Sequence, residues 1–169
     1  EIDRMISKRR LERENVWLKR ALKERYSFPN IVGKSDRIQR ILDLVAQVAQ
    51  SRSTILITGE TGTGKELIAK AIHTHSPRAE HPFMAVNSGS LPPDLLESTL
   101  FGHLRGAFTG AVTSRKGVFE TGNHGTIFFD EVGAISLETQ AKLLRVIQEK
   151  EFMPLGSNET VKVDVRILA

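Results

Sequence analysis

The chain has 169 residues, 40% of them hydrophobic and 26% charged, which is ordinary for a globular protein and allows one domain with a sizeable core plus an appendage. The absence of cysteine excludes disulfide bonds and thiolate metal sites. No apolar run is long enough to cross a bilayer, and the first 25 residues lack the apolar core of a secretory signal. A cytoplasmic location is therefore expected.

The formal net charge of +4 comes from the amino-terminal segment. Residues 1–25 hold nine Lys or Arg and five Asp or Glu, and the rest of the chain holds 15 of each sign. The main body therefore lacks the basic bias of a nucleic-acid surface. Lys8, Arg9 and Arg10 could contact DNA phosphate, but a solvated helix face is the commoner meaning of a short charge run.

Residues 1–25 are predicted to form a helix without a globular core of its own. Leu11, Leu18 and Leu22 fall on one stripe, and Asn15 lies in the same seam. A buried Asn fixes the register of a two-stranded coiled coil. A short coiled coil and a single amphipathic linker helix both remain open.

The next predicted elements are a connector, a helix and a strand. Residues 26–34 form the connector, and Ser35 is a suitable N-cap for the helix that follows. Apolar residues recur in that helix at helical spacing, namely Ile38, Ile41, Leu42, Val45 and Val48. Ser53–Thr58 is β-branched and apolar, as expected of a buried parallel strand.

Strands and helices alternate along the remainder of the chain. The predicted strands are Phe83–Val86, Thr126–Phe129 and Val161–Leu168, and the predicted helices are Pro93–Thr99 and Leu137–Lys150, after one that begins near Leu67. This alternation predicts an α/β fold over residues 26–169, with a parallel sheet and helices on both faces.

A glycine-rich stretch follows the first strand and opens a helix: Gly59, Glu60, Thr61, Gly62, Thr63, Gly64 and Lys65. Glycines let backbone N–H groups converge on phosphate oxygens, and Lys65 would contact the β- and γ-phosphates of a nucleotide. The generic motif has Ser or Thr next, but this chain has Glu66, which removes the usual hydroxyl ligand to Mg²⁺. The alternative is a glycine-rich turn with a chance lysine.

Two acidic residues, Asp130 and Glu131, end the strand Thr126–Phe129. Ligands bind at the carboxyl ends of strands in open α/β sheets, so we expect these acids beside the glycine-rich loop. Asp130 would hold Mg²⁺ through water, and Glu131 would orient or deprotonate an attacking water. The alternative is a strand that ends in two solvated acids.

Between these motifs lies a six-residue loop: Gly106, Ala107, Phe108, Thr109, Gly110 and Ala111. Its glycines make the loop mobile, and Phe108 and Thr109 form a tip that could contact a partner. With the flanking motifs, this loop resembles the signature of bacterial enhancer-binding proteins, the AAA+ ATPases that activate sigma-54 RNA polymerase. The resemblance covers about Glu14 to Ala169. It implies an ATP- and Mg²⁺-dependent P-loop ATPase with an inserted helical hairpin whose tip touches sigma-54.

The resemblance also assigns roles to single residues. Glu66 is what this family shows after the P-loop lysine. Asn87 would hydrogen-bond the catalytic Glu131 and report nucleotide state, although a strand-end Asn can instead satisfy local backbone. Ile31 and Val32 would line the adenine pocket, a role compatible with core packing.

A second surface loop, Phe152–Glu159, is similar to one that moves with the first loop in this family. One position and one short stretch depart from the family pattern. Leu104 stands where Glu is common, and Met153-Pro154-Leu155 replaces a stretch that often carries Arg-Val. Nucleotide-to-loop coupling and partner contact at these positions are therefore expected to differ in detail.

The resemblance further implies segments beyond this sequence: an input domain before it, and arginine fingers, a helical lid and an enhancer-DNA-binding domain after it. The parent would assemble into rings, and the fragment alone would hydrolyse ATP weakly or not at all. Two alternatives remain open, another AAA+ remodelling ATPase and a non-hydrolysing nucleotide-binding or dimerising module. The five histidines show no metal spacing and are predicted to be structural or solvated.

Overall fold

The computed structural model describes Phe28, residues 31–33 and residues 35–169. The predicted helix over residues 1–25 lies outside these residues. The helices described are α1 (Asp36–Ala49), α2 (Lys65–Thr74), α3 (Pro93–Phe101), α4 (Val118–Thr121) and α5 (Leu137–Glu149), with a 3-10 turn at Val132–Ala134. The strands are β1 (Phe83–Asn87), β2 (Gly102–His103), β3 (Arg115–Lys116), β4 (Thr126–Asp130), β5 (Glu151–Phe152), β6 (Val161–Lys162) and β7 (Arg166–Leu168).

A parallel sheet lies at the centre, as the alternation of elements predicts. β1 pairs with β4, and β4 pairs with β7, in the order β1-β4-β7. Ile55 adds a parallel bridge to Leu168, so the segment before the glycine-rich loop lies at the far side of β7. The carboxyl ends of all these strands therefore meet at one edge of the sheet.

Two apolar clusters cover the two faces of this sheet. Phe128 packs in one cluster with residues of α1 and α2, and Ile127 and Phe129 pack in the other with residues of α3, α4 and α5. Alternate side chains of a strand point to opposite faces, which is why one strand supplies both clusters. The prediction of helices on both faces is confirmed.

The prediction that Ser53–Thr58 is a buried strand is wrong in its burial and in its extent. Pairing is limited to the stretch from Ile55 to Ile57. The Ile55 N–H donates to the Ile167 carbonyl at 3.3 Å, the Ala169 N–H donates to the Ile55 carbonyl at 2.9 Å, and the Ile57 N–H donates to the Ala169 carbonyl at 2.5 Å. Ile55 and Ile57 pack against the α1–α2 cluster, but Leu56 is 67% exposed. Within the described residues, no element covers the face to which Leu56 points.

The predicted strand Val161–Leu168 is two strands in two different sheets. β6 pairs antiparallel with β5, and β7 pairs parallel with β4. Between them, the Asp164 carbonyl accepts from the His124 N–H at 2.8 Å, and the Asp164 N–H donates to Asn123 Oδ1 at 2.8 Å. The strand breaks because these backbone groups bond to a loop.

The helix boundaries follow local capping chemistry. The Ser35 side chain accepts from the Ile38 N–H, which confirms the predicted N-cap of α1. Ser136 does the same for the Thr139 N–H at the start of α5. None of the helices in the part of the chain described here is both long and apolar enough to cross a membrane.

Candidate nucleotide site and surface loops

The glycine-rich loop lies between the Ile55 bridge and α2, which begins at Lys65. Gly62 and Gly64 adopt φ of 81° and 87°, a region that favours glycine. Gly64 is the N-cap of α2 and has no side chain to accept a hydrogen bond from the first N–H groups of the helix. The first N–H groups of α2 therefore face the loop, as phosphate binding at a helix N-terminus requires.

Lys65 folds back over the loop. Its Nζ donates to the carbonyl oxygens of Gly59 at 3.2 Å and Glu60 at 3.0 Å. Thr63 Oγ1 donates to the same Glu60 carbonyl at 2.7 Å, which closes the loop on itself. The ammonium group is thus held above the loop by neutral acceptors that an anionic phosphate would outcompete. Glu66 is exposed in the first turn of α2.

Asp130 and Glu131 stand at the carboxyl end of β4. Asp130 Oδ1 accepts from the Glu131 N–H at 3.0 Å, which leaves its other oxygen without a described partner. The strand order places β7 between β4 and the Ile55 bridge. The acids therefore share the sheet edge with the glycine-rich loop, and the carboxyl end of β7 lies between the two strands that carry them.

Asn87 is the register partner of Asp130 across β1 and β4. Its Oδ1 accepts from the N–H groups of Gly89 at 3.0 Å and Ser90 at 3.1 Å. No hydrogen bond joins Asn87 to Glu131 among the residues described. The geometry is that of the local-backbone alternative, and it leaves the Asn87 amide group without a bond to Glu131.

Gly89 is a site residue that the sequence reasoning missed. A Cβ on Gly89 would collide with the carboxylate of Glu131, so the missing side chain makes room for that carboxylate. Asn87 Oδ1 lies 3.6 Å from the same point. A glycine two residues after a strand-end Asn was the available signal.

Ile31 and Val32 separate in the structure. Ile31 packs against the α1–α2 cluster and lines a small cavity of about 60 Å³ with Phe28, Leu67 and Ala71. Val32 is 98% exposed, so core packing is wrong for Val32. The cavity lies against α2, the helix that the glycine-rich loop opens.

The loop Gly106–Ala111 projects from the hairpin of β2 and β3, which connects α3 to α4. The Gly106 N–H donates to the Ala111 carbonyl at 2.9 Å, which closes the loop at its base. Phe108 is 41% exposed and makes a T-shaped contact with the His103 ring at a centroid distance of 5.1 Å. Thr109 is exposed beside it.

The second loop, Phe152–Glu159, is attached to the first by backbone bonds. The Leu104 N–H donates to the Leu155 carbonyl, and the Leu155 N–H donates to the Gly102 carbonyl, each at 3.0 Å. Gly156 has φ of 75°, and a Cβ there would lie 2.8 Å from the Ala107 side chain. The two loops therefore pack as one surface.

The histidines have structural surroundings in this part of the chain. His73 is buried, and its Nδ1 lies 3.0 Å from Thr126 Oγ1. Burial lowers the pKa of His73, and the nearby charge of Arg166 lowers it further. The described residues contain no cluster of three or more His, Asp or Glu that would hold a metal ion by themselves.

Comparison with known proteins identifies the family to which this chain belongs. Residues 31–169 match the family described as "Sigma-54 interaction domain". The chain is 52% identical over 164 residues to the nitrogen fixation protein AnfA of Azotobacter vinelandii, covering 97% of this chain and 31% of that protein. It is 47% identical over 168 residues to the regulatory protein AtoC of Escherichia coli (strain K12), covering 99% of this chain and 36% of that protein.

Solved structures agree with the sequence comparisons. The crystal structure of NtrX from Brucella abortus in complex with ATP matches with a TM-score of 0.76 and 36% sequence identity. That match covers 99% of this chain and 36% of NtrX. The chain spans only about a third of the length of each of these proteins. The chain belongs to the sigma-54 interaction domain family of transcription activators, and its fold is the α/β P-loop fold of AAA+ ATPases.

Proposed function

We propose that this chain is the ATP-hydrolysing part of an activator that remodels the closed complex of sigma-54 RNA polymerase to open promoter DNA. One observation carries the proposal. A P-loop and an acidic strand end share one sheet edge, and an exposed Gly-Ala-Phe-Thr-Gly-Ala loop projects from the hairpin inserted between β1 and β4. The first pair of features suits nucleotide hydrolysis, and the loop suits contact with a protein partner.

In the proposed site, each side chain has a separate task. Lys65 exchanges its carbonyl partners for the β- and γ-phosphates of ATP, whose charge makes the stronger hydrogen bond. Glu131 orients the attacking water and takes its proton. Ile31, and Val32 once it is covered, would contact the adenine.

The donor set at the strand end fits Mg²⁺. Magnesium takes few protein carboxylates and keeps several waters, and Asp130 offers one carboxylate with an oxygen left over from its bond to the Glu131 N–H. Bound there, the ion would neutralise phosphate charge during transfer. Because magnesium keeps several of its waters, Asp130 would hold the ion through water. Glu66 stands where the generic motif has a hydroxyl ligand, so that ligand would be absent.

The fold supplies a short route from the site to the loop. Asn87 and Gly89 form the turn against which Glu131 rests, and α3 begins four residues after Gly89. The last residue of α3, Phe101, is followed directly by β2, which enters the loop. A change in the contact between Glu131 and this turn would therefore tilt α3 and shift the balance between raised and lowered positions of Gly106–Ala111.

The partners proposed for the parent protein are sigma-54 RNA polymerase, further copies of itself in a ring, and enhancer DNA bound through a domain outside this sequence. Ring assembly would supply an arginine from the neighbouring subunit to the γ-phosphate. The match of residues 31–169 to the sigma-54 interaction domain family supports the first of these partners.

The deciding experiment measures ATP-dependent open-complex formation at a sigma-54 promoter, together with ATP turnover, using the intact protein. Thr109→Ala should keep turnover and lose opening. Thr113→Ala is the matched control, because Thr113 is exposed in the same hairpin but outside the six-residue stretch. Lys65→Ala should lose both activities, and Lys162→Ala, an exposed lysine on β6, should keep both.

Each outcome has a clear meaning. Opening by the parent but not by Thr109→Ala supports the proposal and the role of the loop. Opening retained in Thr109→Ala removes the loop from the mechanism. Turnover without opening indicates another AAA+ client, and no turnover indicates a nucleotide-binding or dimerising module.

A further inference from the structure

A second cavity lies at the opposite edge of the sheet from the P-loop. It has a volume of about 190 Å³ and lies at the amino ends of β4 and β7. Its lining includes Arg52, Arg78 and Arg166 together with His81 and His124. The loops that form it follow α1 and α2 and precede the strands, so it is separated from the nucleotide site by the full length of the sheet.

Positive charge in this cavity exceeds negative charge. Asp164 supplies the single carboxylate of the lining, and it is bound by Arg78 at 2.5 Å. The remaining acceptors of Arg78 are backbone carbonyls, those of His124 at 2.7 Å, Asp164 at 2.9 Å and Gly125 at 3.5 Å. Arg52 is exposed at the rim and forms no ion pair with a described residue. Two guanidinium charges are therefore left without a counter-ion.

Arg166 is the unusual member of this group, because it is only 3% exposed. Its two terminal nitrogens donate to the carbonyls of Ala49 at 2.8 Å and Val48 at 2.7 Å, at the end of α1. Its Nε is buried and has no hydrogen-bond acceptor. Buried cations are normally paired with an anion, and buried N–H groups are normally bonded, so this residue lacks both.

The structural roles of the arginines do not account for this excess. Arg166 caps the carboxyl end of α1, and Arg78 ties loop carbonyls together, and both tasks use neutral acceptors. Burial lowers the pKa of Arg166, and the charge of Arg78 lowers it further. An anion in the cavity would relieve that repulsion.

We propose that this cavity is a binding site for a small phosphate-type oxyanion. Guanidinium groups match the planar pairs of oxygens that such anions present. The imidazoles of His81 and His124, with ring centroids 6.0 Å apart, add further donors at the opening. The volume is smaller than the 300 Å³ or so at which pockets for larger organic ligands begin, which favours one or two phosphate groups over a whole nucleotide.

The test follows the histidine rings of the intact protein by NMR while inorganic phosphate is added at constant ionic strength. ADP is present at saturation so that phosphate does not report on the P-loop. The signals of His81 and His124 should shift and saturate. The signal of His103, which lies in β2 and is bonded to Ser98 of α3, should not shift. Arg52→Gln should weaken the apparent affinity by about tenfold, since one charged donor is lost.

Arg40→Gln is the matched control, because Arg40 is an exposed arginine on α1 outside the cavity lining, and it should leave the affinity unchanged. Equal weakening by both substitutions would reduce the effect to net charge and overturn the proposal. So would shifts that chloride reproduces, or no shift at all. Tighter binding of a short DNA duplex than of phosphate, lost in Arg52→Gln, would assign the surface to a nucleic-acid backbone instead.

Discussion

The backbone N–H of Leu104 donates to the carbonyl oxygen of Leu155 at 3.0 Å. The Leu155 N–H returns a bond to the Gly102 carbonyl, also at 3.0 Å, and so anchors the second loop to the base of the first. The sequence resemblance suggests that the two loops move together. These hydrogen bonds give a physical reason for joint movement. Neither loop can leave its place without breaking the bonds or carrying the other loop along.

The contact of Gly156 with Ala107 can be tested by adding one methyl group. Gly156→Ala places a Cβ 2.8 Å from the Ala107 side chain and strains a backbone with φ of 75°, at a cost of about 1–2 kcal/mol. We expect ATP turnover to stay within about twofold of the parent, while open-complex formation falls several-fold. Parallel assays of turnover and opening in the intact protein measure the two effects.

A double-mutant cycle separates strain from collision in that experiment. Ala107→Gly removes the methyl group that Gly156→Ala would strike, so Gly156→Ala should cost less opening in the Ala107→Gly background than in the parent. If Gly156→Ala has the same effect in both backgrounds, the contact between the loops is not what the substitution disturbs.

Glu131→Gln should separate nucleotide binding from hydrolysis. The amide keeps the size of the side chain beside Gly89 but cannot take a proton, so we expect turnover to fall by about 10²–10⁴-fold. Affinity for ATP should change little, because Lys65 and the loop amides are untouched. Glu80→Gln, an exposed acid outside the site, is the control and should behave as the parent. Lost affinity in Glu131→Gln would place this side chain in binding instead.

Asn87→Asp distinguishes the two roles considered for Asn87. A carboxylate still accepts from the N–H groups of Gly89 and Ser90, but it donates nothing to Glu131. If the amide orients Glu131, turnover should fall at least tenfold with thermal stability unchanged. Normal turnover in this variant, with a loss of stability in Asn87→Ala, would restrict Asn87 to holding its turn.

His73 should make the fold sensitive to mild acid. Burial holds its folded-state pKa below the ordinary value of 6.5, so the unfolded chain binds the proton more readily. This residue therefore lowers the free energy of unfolding as the pH falls through 6.5 towards the folded-state pKa. His73→Gln retains a polar partner for Thr126 and does not titrate. Urea unfolding between pH 7.5 and 5.5 should show a shallower loss of stability in the variant, and equal slopes would contradict the prediction.

The sequence was informative wherever the deciding chemistry is local. The glycines and Lys65 indicate a loop that opens a helix, and the apolar run Thr126–Phe129 indicates a strand, because these signals depend on near neighbours. The position of that strand relative to the P-loop depends on β7, which lies far along the chain. Leu56 and the split of Val161–Leu168 were missed for the same reason.

The partnership of Arg78 and Asp164 shows what local pattern cannot contain. These residues are 86 positions apart, and their salt bridge lies next to the backbone bonds that interrupt the predicted strand. Gly89 is a similar case, since its importance appears only when Glu131 is placed against it. Both pairings belong to the tertiary fold, which a single sequence does not reveal by periodicity.

Glu131 adopts φ of 54° and ψ of 43°, a left-handed conformation that is uncommon for residues other than glycine, asparagine and aspartate. Holding it there opposes folding by about 1–3 kcal/mol. A library of variants selected for heat resistance alone should therefore enrich glycine or asparagine at this position. Selection for heat resistance would favour glycine or asparagine at position 131, whereas selection for turnover would favour Glu131. The two screens would therefore have to be run together to keep an active protein.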